Sequence, residues 1–148
     1  MKTTQTEARY VEWLSPEEMH KGSQEWLSEL RFIKDEHFFF ENLIKSNTLQ
    51  LIDPEKFSHN IEVIDAINRS QRRNEFLIKA IKVHKNDLKI MVDGIDKPKK
   101  EEAYKKEHRD LIMKISEYLK NYKRLKTQLF DIIKKIKKEE KQRLINKE

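Results

Sequence analysis

The chain has 148 residues, of which 39% are charged and 36% are hydrophobic, and its net charge at neutral pH is +6. It contains no cysteine, which excludes disulfide bonds, a thiolate nucleophile and cysteine-ligated zinc. No segment approaches the roughly 20 consecutive apolar residues of a membrane span, and the first residues lack the apolar stretch of a secretory signal. We therefore expect a single helical domain over residues 1–148, in the cytoplasm, with residues 1–14 as an N-terminal arm.

A first helix is predicted at about 16–47. Ser15 is a typical N-cap residue, and Pro16 occupies the first-turn position, where its missing N–H is not needed. Glu18 stands three residues after Ser15, as in a capping box. Apolar or small residues then recur at alternating steps of three and four, which is the spacing of one buried helix face. This predicted seam consists of Met19, Ser23, Trp26, Leu30, Ile33, His37, Phe40 and Ile44.

Three consecutive phenylalanines lie near the end of this helix. Phe40 falls on the seam, whereas Phe38, Phe39 and Leu43 point to other sides. Burying one such ring stabilises a protein by roughly 1.5–3 kcal/mol, so we expect cover from the other helices, from the N-terminal arm or from a second subunit. Ordinary core packing is the simpler alternative. The predicted partner interface consists of Phe38, Phe39, Leu43, Leu129, Ile132 and Ile136.

A second helix is predicted at about 54–93, with Asp53 as its cap, Pro54 at its first position and Gly94 as its stop. Its middle, residues 68–75, offers no apolar seam residue. We predict a buried polar layer there that fixes the register against the third helix. Its proposed members are Asn68, Gln71, Asn74, Tyr118 and Tyr122. One alternative is a solvated stretch that the first helix does not reach, and another is a pocket in which Arg72 and Arg73 bind an anion.

A third helix is predicted at about 98–145, beginning with Pro98. Its seam is uninterrupted and consists of Tyr104, His108, Leu111, Ile115, Tyr118, Tyr122, Leu125, Leu129, Ile132 and Ile136. Such a helix would be about 70 Å long at 1.5 Å per residue, which is longer than either of the others. The predicted fold is therefore all-α: an antiparallel three-helix bundle or coiled coil of long helices, which dimerisation would complete to a larger bundle.

Histidines on different helices suggest a metal site. In an antiparallel arrangement His84 and His108 lie at one level, and Glu17 and His20 of the first helix reach the same level. Three imidazoles and a carboxylate suit zinc, iron, copper or nickel. Seam or surface histidines without a metal are the alternative. Protonation of His37 and His108 below about pH 6.5 is predicted to destabilise the assembly.

Charge is graded along the chain. Residues 1–50 carry 6 basic and 9 acidic side chains, a net charge of −3, whereas residues 101–148 carry 15 basic and 9 acidic ones, a net charge of +6. A basic stripe near the C-terminus predicts anion binding, to nucleic acid or an anionic membrane, although a solvated helix face has the same composition. The stripe runs from Lys120 to Arg143, and its predicted anion-binding residues are Lys134, Lys135, Lys137, Lys138, Lys141 and Arg143.

No glycine-rich phosphate loop, nucleophile elbow or other catalytic set is present in the sequence. We therefore expect a non-enzymatic helical interaction or scaffold protein, without a cofactor, that forms a homodimer or binds a helical protein partner. The alternative hypotheses are a bundle that binds a metal or small ligand, and association of the basic third helix with nucleic acid or an anionic membrane.

Overall fold

The computed structural model describes residues 14–93 and 98–146, and over these ranges the chain is all-α, without a strand. The helices are α1 (Pro16–Ser46), the short α2 (Thr48–Leu51), α3 (Phe57–Asp93) and α4 (Pro98–Asn146). Residues 1–13 of the predicted arm and the predicted stop at Gly94 lie outside the described residues. Within the described ranges, no helix combines the length and apolar composition that crossing a membrane requires.

The capping residues explain where α1 begins and ends. The Oγ of Ser15 accepts a hydrogen bond from the backbone N–H of Glu18 at 3.1 Å, and Pro16 occupies the first helical turn. At the other end, the side-chain amide of Asn47 donates to the carbonyl oxygen of Leu43 at 2.8 Å. One otherwise free backbone group at each end of the helix thus has a side-chain partner, which stabilises that terminus.

The second long helix, α3, begins at Phe57, three residues later than the predicted start at Pro54. The carboxylate of Asp53 accepts a hydrogen bond from the backbone N–H of Glu55 at 3.1 Å, and the Lys56 N–H donates to the Asp53 carbonyl oxygen at 3.0 Å. Asp53 therefore forms an Asx turn rather than a helix cap. The chain must reverse its direction between α1 and α3, and this turn completes the reversal.

The helix α3 packs closely against both α1 and α4 and is antiparallel to each. Asn74 of α3 donates to the carbonyl oxygen of Leu30 in α1 at 3.0 Å, and His84 of α3 is hydrogen-bonded to His108 of α4 at 2.9 Å. The backbones of α1 and α4 approach each other less closely, although the rings of Trp26 and His108 are only 4.8 Å apart. α1 and α4 therefore run in the same direction across a wider gap.

The core follows the predicted seams. All predicted seam residues of α1 are buried except the half-buried Ile44, and all those of α4 are buried except the half-buried Leu125. The buried face of α3 is formed by Asn60, Val63, Ile67, Ser70, Asn74, Leu77, Ile81, His84 and Leu88. Four members of that face are polar, and two of them, Ser70 and His84, build the two clusters described below.

The three phenylalanines of α1 have different environments. Phe40 is fully buried, and its ring centre is 5.7 Å from that of Phe130 and 6.3 Å from that of Tyr122. Phe38 and Phe39 are 51% and 55% exposed, because successive helix residues are rotated by about 100°. The described part of the chain therefore covers only one of the three rings.

Candidate functional site

A buried histidine pair joins α3 to α4. His84 and His108 are 0% and 1% exposed, and the Nε2 of His84 lies 2.9 Å from the Nδ1 of His108. The Nδ1 of His84 is 2.8 Å from a carboxylate oxygen of Glu107, and the ring of Tyr104 stacks on His84 with 4.0 Å between the ring centres. We refer to Tyr104, Glu107, His84 and His108 as the histidine cluster.

The hydrogen bonds of the cluster define the tautomers of the neutral rings. A carboxylate only accepts, so the Nδ1–H of His84 donates to Glu107, and its bare Nε2 accepts the Nδ1–H of His108. The Nε2 of His108 faces α1 beside Gly22. A Cβ atom added to Gly22 would lie 4.0 Å from this nitrogen. The two hydrogen bonds thus form a chain: His108 donates to His84, and His84 donates to Glu107 at the surface.

Burial is the main influence on the titration of these groups. It lowers the pKa of His108 to about 3, and the neighbouring His84 contributes to the same shift. Burial also lowers the pKa of His84, against the opposing effect of Glu107. The pKa of Tyr104 is raised, first by burial and then by the charge of Glu107. The two imidazoles and the phenol are therefore neutral near pH 7.

The predicted four-residue metal site is not assembled. The structure brings His84 and His108 together, but Glu17 and His20 are exposed, and no group of three ligand residues suited to a metal occurs among the described residues. The predicted position of these α1 residues along the helix axis is nearly correct, because Gly22 of α1 faces His108. The predicted direction of the His20 side chain is wrong. His20 follows the buried Met19 by one residue, so its side chain is rotated by about 100° into solvent.

A second polar cluster lies in the middle of α3. The Nδ1–H of His37 donates to the carbonyl oxygen of Ile33 at 2.9 Å, so its Nε2 accepts from the Oγ–H of Ser70 at 3.0 Å. The hydroxyl of Tyr118 donates to the Ser70 carbonyl oxygen at 3.0 Å and lies 3.0 Å from its Oγ. These contacts join all three long helices, and we refer to His37, Ser70 and Tyr118 as the central polar layer.

The predicted register layer is therefore only partly the observed one. Tyr118 belongs to the central polar layer, and Asn74 is buried and bonds to α1. Asn68 is exposed and Gln71 is half-buried, while Tyr122 donates to Glu36 at 2.9 Å. Sequence reasoning missed Ser70 and His37 as partners. The available signal was spacing, because Ser70 and Asn74 continue the three-and-four pattern of the apolar residues on either side.

The Ser–His contact in the central polar layer pairs the residue types of a nucleophile and its base, but both side chains are buried. His37 is 1% exposed and Ser70 is 9% exposed. Burial lowers the pKa of His37 and raises the pKa of Tyr118 to about 12, so neither group ionises near pH 7. The layer has the properties of a structural network that sets the alignment of the helices.

Replacing Ser70 by alanine is expected to lower the free energy of unfolding by about 1–3 kcal/mol, because the buried Nε2 of His37 loses its hydrogen-bond donor. Urea denaturation monitored by circular dichroism measures this change. The matched control is Ser28→Ala on the exposed side of α1, which should leave stability nearly unchanged. Equal stability of the two variants would contradict a structural role for the layer.

The wider gap between α1 and α4 forms a surface groove of about 500 Å³. We refer to it as the α1–α4 groove. The residues that define it are Glu29, Phe32 and Glu36 on the α1 side and Leu119, Lys120 and Lys123 on the α4 side. Phe32 is 63% exposed at its rim. The groove thus has an apolar floor and rim, an acidic wall and a basic wall.

Some of the charged residues of the groove form hydrogen bonds and ion pairs within the chain. Glu36 accepts a hydrogen bond from the Tyr122 hydroxyl at 2.9 Å and forms an ion pair with Lys126. Burial, followed by the hydrogen bond to Glu36, raises the pKa of Tyr122. Burial also raises the pKa of Glu29. Glu29 and Lys123 form no salt bridge with another of the described residues.

The predicted partner interface is partly wrong. Phe38 and Phe39 are exposed and Leu43 is half-buried, as an interface allows. The other three members are buried in the chain's own core: Leu129, Ile132 and Ile136 are 0%, 7% and 6% exposed. α2 and the turn before α3 reach this end of α4 through Gln50 and Lys56, which bond to Glu140 and Glu139.

The predicted anion-binding residues of α4 all lie on the surface. Lys137 forms an ion pair with Glu140 at 3.8 Å. In α3, the guanidinium of Arg73 lies 5.1 Å above the ring of Phe76, and both Arg72 and Arg73 are exposed rather than in a pocket.

Comparisons with protein-family models, with curated proteins and with solved structures found no match to this chain.

Proposed function

We propose that the chain is a non-enzymatic helical interaction protein, a three-helix bundle of α1, α3 and α4 that binds a further helical surface in the α1–α4 groove. Its helices support the bundle arrangement, because α3 packs against both of the others and the central polar layer links all three. Its histidines support a non-enzymatic role, because His37, His84 and His108 are enclosed in the core, away from substrates.

The exposed aromatic rim of the groove is the observation that carries the proposal. Phe32 projects beside an open groove whose floor includes the half-buried Leu119, and Phe39 continues the same helix face one heptad later. Rings left in water oppose solubility, whereas a docked helix would bury them at roughly 1.5–3 kcal/mol for each ring. The oppositely charged walls select a partner that carries the complementary charges.

The test is the native size of the protein in an extract of its own cells. Wild-type chain should elute from size-exclusion chromatography as a complex larger than its own 18.0 kDa, whereas Phe32→Glu should elute as the free chain. The matched control is Phe76→Glu, because Phe76 is 54% exposed on α3, outside the groove. Elution of wild type as the free chain, or no difference between the two variants, would contradict the proposal.

A further inference from the structure

The outward side of α3 carries a line of apolar side chains. Phe76, Val83 and Ile90 are 54%, 58% and 70% exposed, and they follow one another at intervals of seven residues, which is about two helical turns. Val83 comes two residues after the buried Ile81 and is rotated by about 200° from it, so the line points away from α1 and α4. The line is about 21 Å long at 1.5 Å per residue. We refer to these three residues as the α3 outer line.

The helix around the α3 outer line is strongly basic. Residues 69–90 carry seven basic and two acidic side chains, a net charge of +5. Arg72 and Lys79 lie closest to the line, because each is three or four residues from one of its members. None of the seven basic residues forms a salt bridge with another described residue. Charge complementarity therefore calls for an anionic partner on this face.

The residue pattern argues against a helical protein as that partner. A coiled-coil seam needs two apolar positions in each heptad, at alternating steps of three and four. The positions between the members of the α3 outer line are Lys79 or Ala80, and Asn86 or Asp87. Ala80 is half-buried against the chain's own core, and the other three are polar. A second helix would therefore meet one apolar position in each heptad instead of two.

Nucleic acid matches the charge of this face but not its apolar line. Phosphates are bound by Lys and Arg, and single-stranded bases stack on aromatic rings. Phe76 is such a ring, but Val83 and Ile90 are aliphatic and offer neither a charge nor a stacking surface. An anionic membrane uses both features, because its headgroups attract cations and apolar side chains enter the boundary between headgroups and acyl chains. A fluid surface also needs no matching pattern of side chains.

We infer that the outward face of α3 binds the surface of an anionic membrane, with the α3 outer line entering the headgroup boundary and Arg72 and Lys79 contacting the anionic headgroups. The helix lies flat on the membrane, because the three apolar residues face the same way over about 21 Å of its length. α3 keeps its contacts with α1 and α4, since its buried face is on the other side. This face is separate from the α1–α4 groove, so the failure of either proposal leaves the other intact.

Flotation of the purified chain with lipid vesicles tests the inference. Wild type should float with vesicles of phosphatidylcholine that contain about a third phosphatidylserine, and should not float with phosphatidylcholine alone, because the cations need anionic headgroups. The double variant Val83→Gln with Ile90→Gln removes apolar area without changing the charge, so it should bind at least about tenfold more weakly. Arg72→Gln with Lys79→Gln should also weaken binding and make it less sensitive to salt.

The matched control is Phe32→Gln, which replaces an exposed ring at the α1–α4 groove and should float as wild type does. Circular dichroism checks that all variants remain helical. Wild type that floats with neither kind of vesicle, or a Val83→Gln and Ile90→Gln variant that floats as wild type does, overturns the inference. Flotation that is lost only on replacing Lys134, Lys135, Lys137 and Lys138 by glutamine assigns the membrane contact to α4, which also overturns it.

Two further outcomes identify a different partner. Binding of a single-stranded oligonucleotide, without flotation on anionic vesicles, identifies nucleic acid as the anionic partner. Elution of the Val83→Gln and Ile90→Gln variant from cell extract at a smaller size than wild type, again without flotation, identifies a protein. Either result overturns the membrane as the partner of this face.

Discussion

Lowering the pH from about 7 to about 5 is expected to destabilise the protein by about 2 kcal/mol through His108 alone. The pKa of this buried ring is about 3 in the folded chain and 6.5 in the unfolded chain. Below pH 6.5 His108 therefore binds a proton in the unfolded chain but stays neutral in the folded chain. The stabilisation is complete above pH 6.5 and is lost progressively as the pH falls toward 3.

Other groups around the ring modify this effect. Burial lowers the pKa of His84 and of His37 as well, so both add to the loss in the same direction. Glu107 and Asp87 act against it, because they raise the pKa of His84. Carboxylates in water titrate mainly below about pH 5, so the range from 7 to 5 reports mainly on the histidines, with Glu29, whose pKa is raised by burial, as a further contributor.

Thermal unfolding at several pH values measures the effect. His108→Gln keeps a donor for the Nε2 of His84. It should reduce the slope of unfolding free energy against pH by the equivalent of at most one bound proton. His20→Gln removes an exposed histidine of α1 and should leave the slope unchanged. A midpoint of unfolding that is the same at pH 7 and pH 5 would show that the buried pair does not control stability.

Phe40→Ala is expected to reduce the free energy of unfolding by about 3–5 kcal/mol, because it removes a fully buried ring that contacts Tyr122 and Phe130 of α4. Phe39→Ala changes the preceding residue to the same side chain, but that ring is 55% exposed, so the expected loss in the monomer is below about 1 kcal/mol.

Chemical denaturation of both variants at low protein concentration, where association is negligible, makes the comparison. A large loss for Phe40→Ala and a small one for Phe39→Ala would confirm that a single face of α1 supports the core. Similar losses at the two positions would require another part of the chain to cover Phe39, and would contradict an interface role for that ring.

The seams of α1 and α4 are predictable from sequence because their buried positions are apolar or aromatic with few exceptions. The buried face of α3 is harder to read, since Ser70, Asn74 and His84 interrupt it and resemble a solvated stretch. Spacing is the better guide here than polarity: the three residues keep the heptad pattern of their apolar neighbours. The polar partners then follow from burial, which requires a hydrogen bond for each of them.

The groove and the histidine cluster could be predicted only in part. The common level of His84 and His108 follows from the antiparallel arrangement, but the direction of His20 depends on a rotation that one residue changes completely. The width of the gap between α1 and α4 is a tertiary property, set by how both helices pack on α3. No pattern within either helix encodes that distance.

The order of the helices also has a kinetic consequence. The two close pairs, α1 with α3 and α3 with α4, are neighbours along the chain and assemble as local hairpins. The links between α1 and α4 join residues 86 and 90 positions apart, as in Tyr122 to Glu36 and Lys126 to Glu36. Closing so long a loop is slow and gains little backbone contact, so this side of the molecule should form last during folding and open first during unfolding.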